Sequence, residues 1–173
     1  VKKITLQIDL DKFYVSTKNL EILFYCTIVH RFLFPFTYNP FRNFFSDPRR
    51  HWNNGEQFLE PKIMGGIDPK GYQLWVWLLR QIGSRGDPMI VLMISLLSAA
   101  MGIFWYKFLR EVCDKRTALI IGSLISIFPS LLVIYGYFMT ETLLLTLLGL
   151  SYWLTFRSLR KKTTSSFMVA VIA

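Results

Sequence analysis

Cysteine and charge are both scarce here, with two cysteines in 173 residues and charged side chains on only 18% of positions. Cys26 lies in an apolar stretch and Cys113 among Lys107, Arg110, Lys115 and Arg116, so their spacing offers neither a disulfide framework nor a tetrahedral metal site. Both read as unpaired thiols. Acids are fewer still, 11 against 20 Lys and Arg, while an apolar share of 53% excludes a disordered chain. A nucleic-acid binder is excluded too, because the surplus of basic residues is not gathered on a soluble domain. Lys2, Lys3, Asp9, Asp11, Lys12 and Lys18 precede any apolar run, so no cleavable signal peptide is expected.

What the chain does contain is long uncharged sequence. Residues 89–106, 117–140 and 142–156 run for 18, 24 and 15 residues without a charge, the scale needed to cross about 30 Å of hydrocarbon as helix. The expected fold is therefore all-α, a polytopic membrane protein with about four complete transmembrane helices and the start of a fifth. After a segment 1–19, the first span covers 20–36 and ends at Pro35 and Pro40, with Arg31 near its far end. Asp87 as N-cap and Pro88 at the first helical position open the second, 88–106. The third, 117–135, contains Pro129 as a kink. The fourth, 136–156, follows a tight reversal that Gly136 permits. A fifth begins at 167 and is cut off at 173, so the chain is expected to be the amino-terminal piece of a larger protein.

Lys and Arg beside the spans set the orientation. Segments 1–19, 107–116 and 157–166 carry four each, and the turn at 135–140 carries none, which puts those three in the cytoplasm and loop 37–87 outside. That loop nevertheless holds seven cations: Arg42, Arg49, Arg50, Lys62, Lys70, Arg80 and Arg85. It also holds Asp-Pro pairs at 47–48 and 68–69, with a third at 87–88, and each has the simple reading of a helix cap. Asp47 differs in its company. With a helix starting at Pro48, Arg50 and His51 fall within the turn that Asp47 caps, and a carboxylate beside a guanidinium and an imidazole suits an anionic substrate at the membrane surface. Arg49 and Arg50 equally suit a solvated face or lipid headgroups. Further on, Tyr72, Trp75, Val76, Leu79 and Ile82 recur at helical spacing, which predicts an amphipathic helix in the interface with Trp75 and Trp77 at headgroup level. Residues 58–64 suit the interface as well.

Glu141 is the only charge between Arg116 and Arg157, one helical turn into the fourth span at its external end. It reads either as an acid at a helix N-terminus near the water boundary or as a partner of Asp47. In the second reading the two carboxylates hold a divalent cation or divide base and positioning roles.

This order of parts resembles the amino-terminal half of the GT-C membrane glycosyltransferases, with the strongest likeness to the protein-mannosyltransferase-like and aminoarabinose-transferase-like branch. The residues that carry it are Ser46-Asp47-Pro48-Arg49-Arg50-His51-Trp52 with Asn54-Gly55, then Gly66-Ile67-Asp68-Pro69 with Tyr72-Gln73, and Thr140-Glu141. The resemblance implies transfer of a sugar from a polyprenyl-phosphate donor to an acceptor on the external face of the inner, or plasma, membrane. It makes Asp47 the acid that activates the acceptor and Glu141 a second-loop acid. Arg49, Arg50 and His51 become candidates for the lipid phosphate, with Asp68 and Tyr72 as further substrate-binding positions. Many relatives carry two adjacent acids where this chain has Asp47 followed by Pro48. Membrane lipids are the other expected partner, and nucleic acid is not one. Two rival readings remain: a non-catalytic subunit or scaffold that binds anionic lipid or a partner through its external loop, and half of a transporter.

Overall fold

Helix α1 (Thr17–Thr37) begins where the Ser16 hydroxyl accepts the Asn19 N–H at 3.3 Å. It ends where the Tyr38 N–H bonds back to the Phe34 carbonyl at 2.7 Å. Pro35 lies inside this helix and does not end it: only the hydrogen bond to the Arg31 carbonyl is forgone, one turn from the terminus. The computed structural model describes residues 15–42, 46–56 and 69–161, and among these all regular structure is helical. Two helices of the loop follow, α2 (Ser46–Glu56) and α3 (Lys70–Ile82). Asp87 caps α4 (Pro88–Val112) by accepting the Met89 N–H at 2.8 Å, with Pro88 at the first position as the sequence predicts. This helix runs past Lys107 for more than a further turn, since aliphatic stems of charged side chains at a membrane boundary favour continued helix.

Asp114 caps α5 (Lys115–Ile127), accepting the N–H groups of Arg116 and Thr117 and the Thr117 hydroxyl. Those bonds from Thr117 hold its carboxyl below the usual carboxylate range. At Pro129 the third span breaks outright where a kink was expected. Phe128 is extended, α6 (Pro129–Val133) runs at 60° to α5, and a 3₁₀ turn at Ile134–Gly136 leads to α7 (Thr140–Lys161). The cause is the residue before proline, which is driven out of the helical region. Gly136 has no left-handed conformation; it is small because a Cβ there would collide with the Tyr38 ring at the end of α1.

Among the described residues three helices, α1, α4 and α7, are long and apolar enough to cross a membrane, and α5 with the α6 segment makes a fourth crossing if counted as one broken span. The expected fifth, 167–173, lies outside the described residues. Ile22, Leu23, Tyr25, Val29, Leu33, Leu96, Leu124 and Leu144 all point outward, a surface suited to lipid and not to water. In lipid the hydrophobic effect gives little drive to helix association, so close backbones and buried polar contacts must supply it. Central α4 packs on α1, α5 and α7 through Ser95, Ser98 and Gly102, and the Trp105 indole N–H donates to the Leu145 carbonyl at 3.1 Å.

Candidate functional site

The loop helices close one end of this bundle. Trp52 of α2 and Tyr72, Val76 and Leu79 of α3 pack with Phe41, Ile90, Tyr135 and Phe138 into a single core. The inward stripe of α3 is thus Tyr72, Gln73, Val76 and Leu79, while Ile82 turns outward with Leu74 and Leu78. At 100° per residue Ile82 falls on the outer face, so α3 carries two apolar faces, one on protein and one outward. Trp75 is half-buried against the core. Arg80 fastens the two loop helices together: its guanidinium donates to the Trp52 carbonyl at 3.2 Å and lies 4.9 Å from the Trp52 ring centroid.

Asp47 lies in the first turn of α2, which starts at Ser46 and not at Pro48. Ser46 has φ +47°, a left-handed conformation that costs a non-glycine residue about 1 kcal/mol or more. Arg50 reaches back one turn to the Asp47 carboxylate at 2.8 Å, with both side chains close to half exposed. Together Ser46, Asp47 and Pro48 form one wall of an open, apolar-lined cleft of about 330 Å³. The other wall is Val133, Ile134, Tyr137 and Met139, the turn that follows the broken span. Arg49 is exposed beside them.

His51 turns the other way. It is buried, with its ring edge-on to Tyr72 at a centroid separation of 5.1 Å. Helical geometry explains the split, because residues one apart point in different directions and Asp47 meets Arg50 at the i, i+3 spacing. Glu141 stands in the first turn of α7, half-buried, and accepts from the Thr140 hydroxyl at 3.1 Å. Met139 in the Asp47 cleft and Thr140 in a neighbouring groove with Tyr72 bring Asp47, Tyr72 and Glu141 to the same end of the bundle. Asp68 lies outside the described residues. Among the described residues, no three His, Cys, Asp or Glu side chains converge as metal ligands.

One residue that carries the geometry has no role in the sequence reading. Arg31 is fully buried in α1 and donates from Nε to the Ser98 carbonyl at 2.9 Å, from Nη1 to Ser126 at 2.9 Å and from Nη2 to Leu131 at 3.1 Å. Its guanidinium also lies 5.0 Å from the centre of the Tyr135 ring, whose hydroxyl donates to the Thr142 carbonyl at 2.9 Å. Ser126 belongs to the last turn of α5, where carbonyls lack helical donors. A guanidinium at the centre of a membrane helix costs about 3 kcal/mol on insertion scales. Three charge-assisted bonds of about 1.5–3 kcal/mol each outweigh that. Arg31 therefore locks the break that shapes the far wall of the Asp47 cleft. The signal was present in the sequence, as the sole charge between residues 22 and 41.

Neither a curated protein nor a solved structure gives a significant match to this chain. A family model described as "Oligosaccharyl transferase STT3, N-terminal" matches residues 73–173, more than half of the 173. The matched stretch runs from α3 onward and includes Glu141, whereas Asp47, Arg49, Arg50, His51, Asp68 and Tyr72 precede it. An all-helical membrane bundle and this match agree, and the chain belongs to the N-terminal family of the oligosaccharyl transferase STT3, membrane glycosyltransferases of the GT-C superfamily.

Proposed function

We propose that the protein transfers a sugar unit from a polyprenyl-phosphate-linked donor to an acceptor on the non-cytoplasmic face of the membrane, with loop 37–87 on that face. The observation that carries this reading is the placement of Asp47 and Arg50 at the mouth of a cleft against the turn that leads into α7 and Glu141. Mannosyl-type, aminoarabinose-type and oligosaccharide donors share one demand on the protein. Each departs as a lipid phosphate, so negative charge on that leaving group must be stabilised and the acceptor oriented. Arg50 and exposed Arg49 supply cations for the phosphate, and the Asp47 carboxylate orients the acceptor. An exposed ion pair is worth only about 0.2–1 kcal/mol, so Arg50 leaves Asp47 readily for a phosphate that gains negative charge as it departs. Buried His51 supports the site by packing against Tyr72, and Glu141 polarises its far rim. A divalent cation, where one is used, would be held by Asp47 and Glu141.

In the full-length enzyme Asp47→Asn should lower sugar transfer by roughly a hundredfold or more, the scale of removing a positioned acid or base, while membrane insertion and helical content stay normal. Wild-type turnover in that variant would remove Asp47 from the mechanism. Topology is tested separately with Asn53→Cys on exposed α2 in a background lacking Cys26 and Cys113. Labelling by an impermeant maleimide from the external side is expected; labelling from the cytosolic side alone would overturn the placement of the loop.

A further inference from the structure

At the end of the bundle remote from Asp47, the finishing turns of α4 and α7 meet the starting turns of α1 and α5. Lys115 pairs with Glu21 there, and Arg160 reaches Glu111 at 3.3 Å from α7 to α4. The described residues of this end, 15–21, 107–116 and 157–161, include eight Lys and Arg against three acids. All three acids are occupied, Glu21 by Lys115, Glu111 by Arg160 and Asp114 by the cap of α5. Between the helix ends opens a polar cleft of about 380 Å³, lined by Arg110, Glu111, Cys113, Asp114 and Arg160 with Val112 at its edge. Arg110 has no hydrogen bond or ion pair with any described residue, and a like charge on Lys115 is near enough to act against it. One turn inward, Lys107 at 4.4 Å and Arg157 at 5.4 Å both address the Trp153 ring.

The cleft itself sets two arginines against two acids, but the end of the bundle around it carries five more cations than acids, a surplus that calls for an anion, and the surroundings select the kind. Val112, Tyr152, Phe156 and Leu159 are exposed apolar side chains immediately beside the cations, so the complementary ligand has a charged head and hydrocarbon tails. We propose that this cleft binds the phosphodiester of an anionic phospholipid, with Arg110 and Arg160 on the phosphate and the acyl chains along the outer face of α7. Glu111 and Asp114 both oppose the anion, but the Asp114 carboxylate is taken up by the Arg116 and Thr117 donors of the α5 cap, and the bond of Glu111 to Arg160, whose side chain is 70% exposed, is of the weak surface kind that exchanges readily for a phosphate. Trp153, held between Lys107 and Arg157, sits at the depth where indoles mark the headgroup boundary. Free phosphate would use the arginines and leave the apolar rim unfilled, which separates the two sources of the same chemistry.

The test is native mass spectrometry of the intact protein in detergent, mixed with phosphatidylglycerol or with phosphatidylcholine of identical chains. Phosphatidylglycerol is expected to be retained about tenfold more than phosphatidylcholine, given the usual contribution of basic residues at a membrane surface. Replacing Arg110→Gln and Arg160→Gln together should bring retention down to the phosphatidylcholine level. Arg110→Lys with Arg160→Lys, which keeps both charges, should preserve it, and millimolar inorganic phosphate should leave the lipid in place. Equal retention of the two lipids by the unaltered protein overturns the proposal without recourse to any variant. So does a folded Gln variant that keeps phosphatidylglycerol, or displacement of the lipid by inorganic phosphate.

Discussion

Arg31 in the bundle and Arg50 in the loop layer are the same side chain put to opposite uses. Arg31 has no carboxylate among its hydrogen-bond partners and is wholly enclosed, yet three backbone carbonyls converge on it. Arg50 has a carboxylate at 2.8 Å and stands about half in solvent. Burial makes the first arrangement structural, because every bond is made in a low dielectric and its loss leaves carbonyls with no donor. Exposure makes the second exchangeable, because water and salt screen the pair and offer each group an alternative partner. A rigid bundle thus presents a loosely tied pair of charges at the cleft.

Five substitutions bear on that contrast, in descending order of effect on stability. Arg31→Met should lower stability by about 3 kcal/mol, the sum of buried acceptors left without donors, read as the loss of helical circular dichroism on heating in detergent. Arg31→Lys should recover less than half of this, since one ammonium cannot span three diverging carbonyls. Full recovery would mean that charge alone matters there. Gly136→Ala comes next, at about 2 kcal/mol, because its methyl group meets the Tyr38 ring and Phe34 in a packed corner. Asp87→Ala should cost about 1 kcal/mol through the lost cap of α4, and an unchanged melting temperature would contradict that role. Arg50→Gln should change stability by less than about 0.5 kcal/mol. If the proposed site is right, the same variant still loses at least tenfold in sugar transfer, so it separates the two uses of arginine most sharply.

Much of the architecture was readable from charge spacing. The α1, α4 and α7 crossings follow from apolar runs that no soluble helix would carry, and the start of α4 follows from Asp87-Pro88. The α3 helix was readable as amphipathic, but the single apolar stripe read from Tyr72 to Ile82 divides in the structure, with Tyr72, Val76 and Leu79 on protein and Ile82 outward, because a helix with two apolar stripes gives no periodic signal as to which one meets protein. Around the candidate site, Asp47 and Arg50 could be paired from their spacing alone. The burial of His51 could not, since it depends on Tyr72 arriving from another helix.

Sequence by itself determined that this chain lives in a membrane, because runs of uncharged residues must leave water whatever partners they find. It also determined where α4 starts, since the Asp87 cap is a contact between residues two apart. Tertiary structure alone decided that Arg31 is the fastening of the broken span, that Gly136 is small for the sake of Tyr38, and that Asp47 faces the turn before α7. Each of those facts joins residues nearly a hundred positions apart, and no local rule of sequence reaches across that distance.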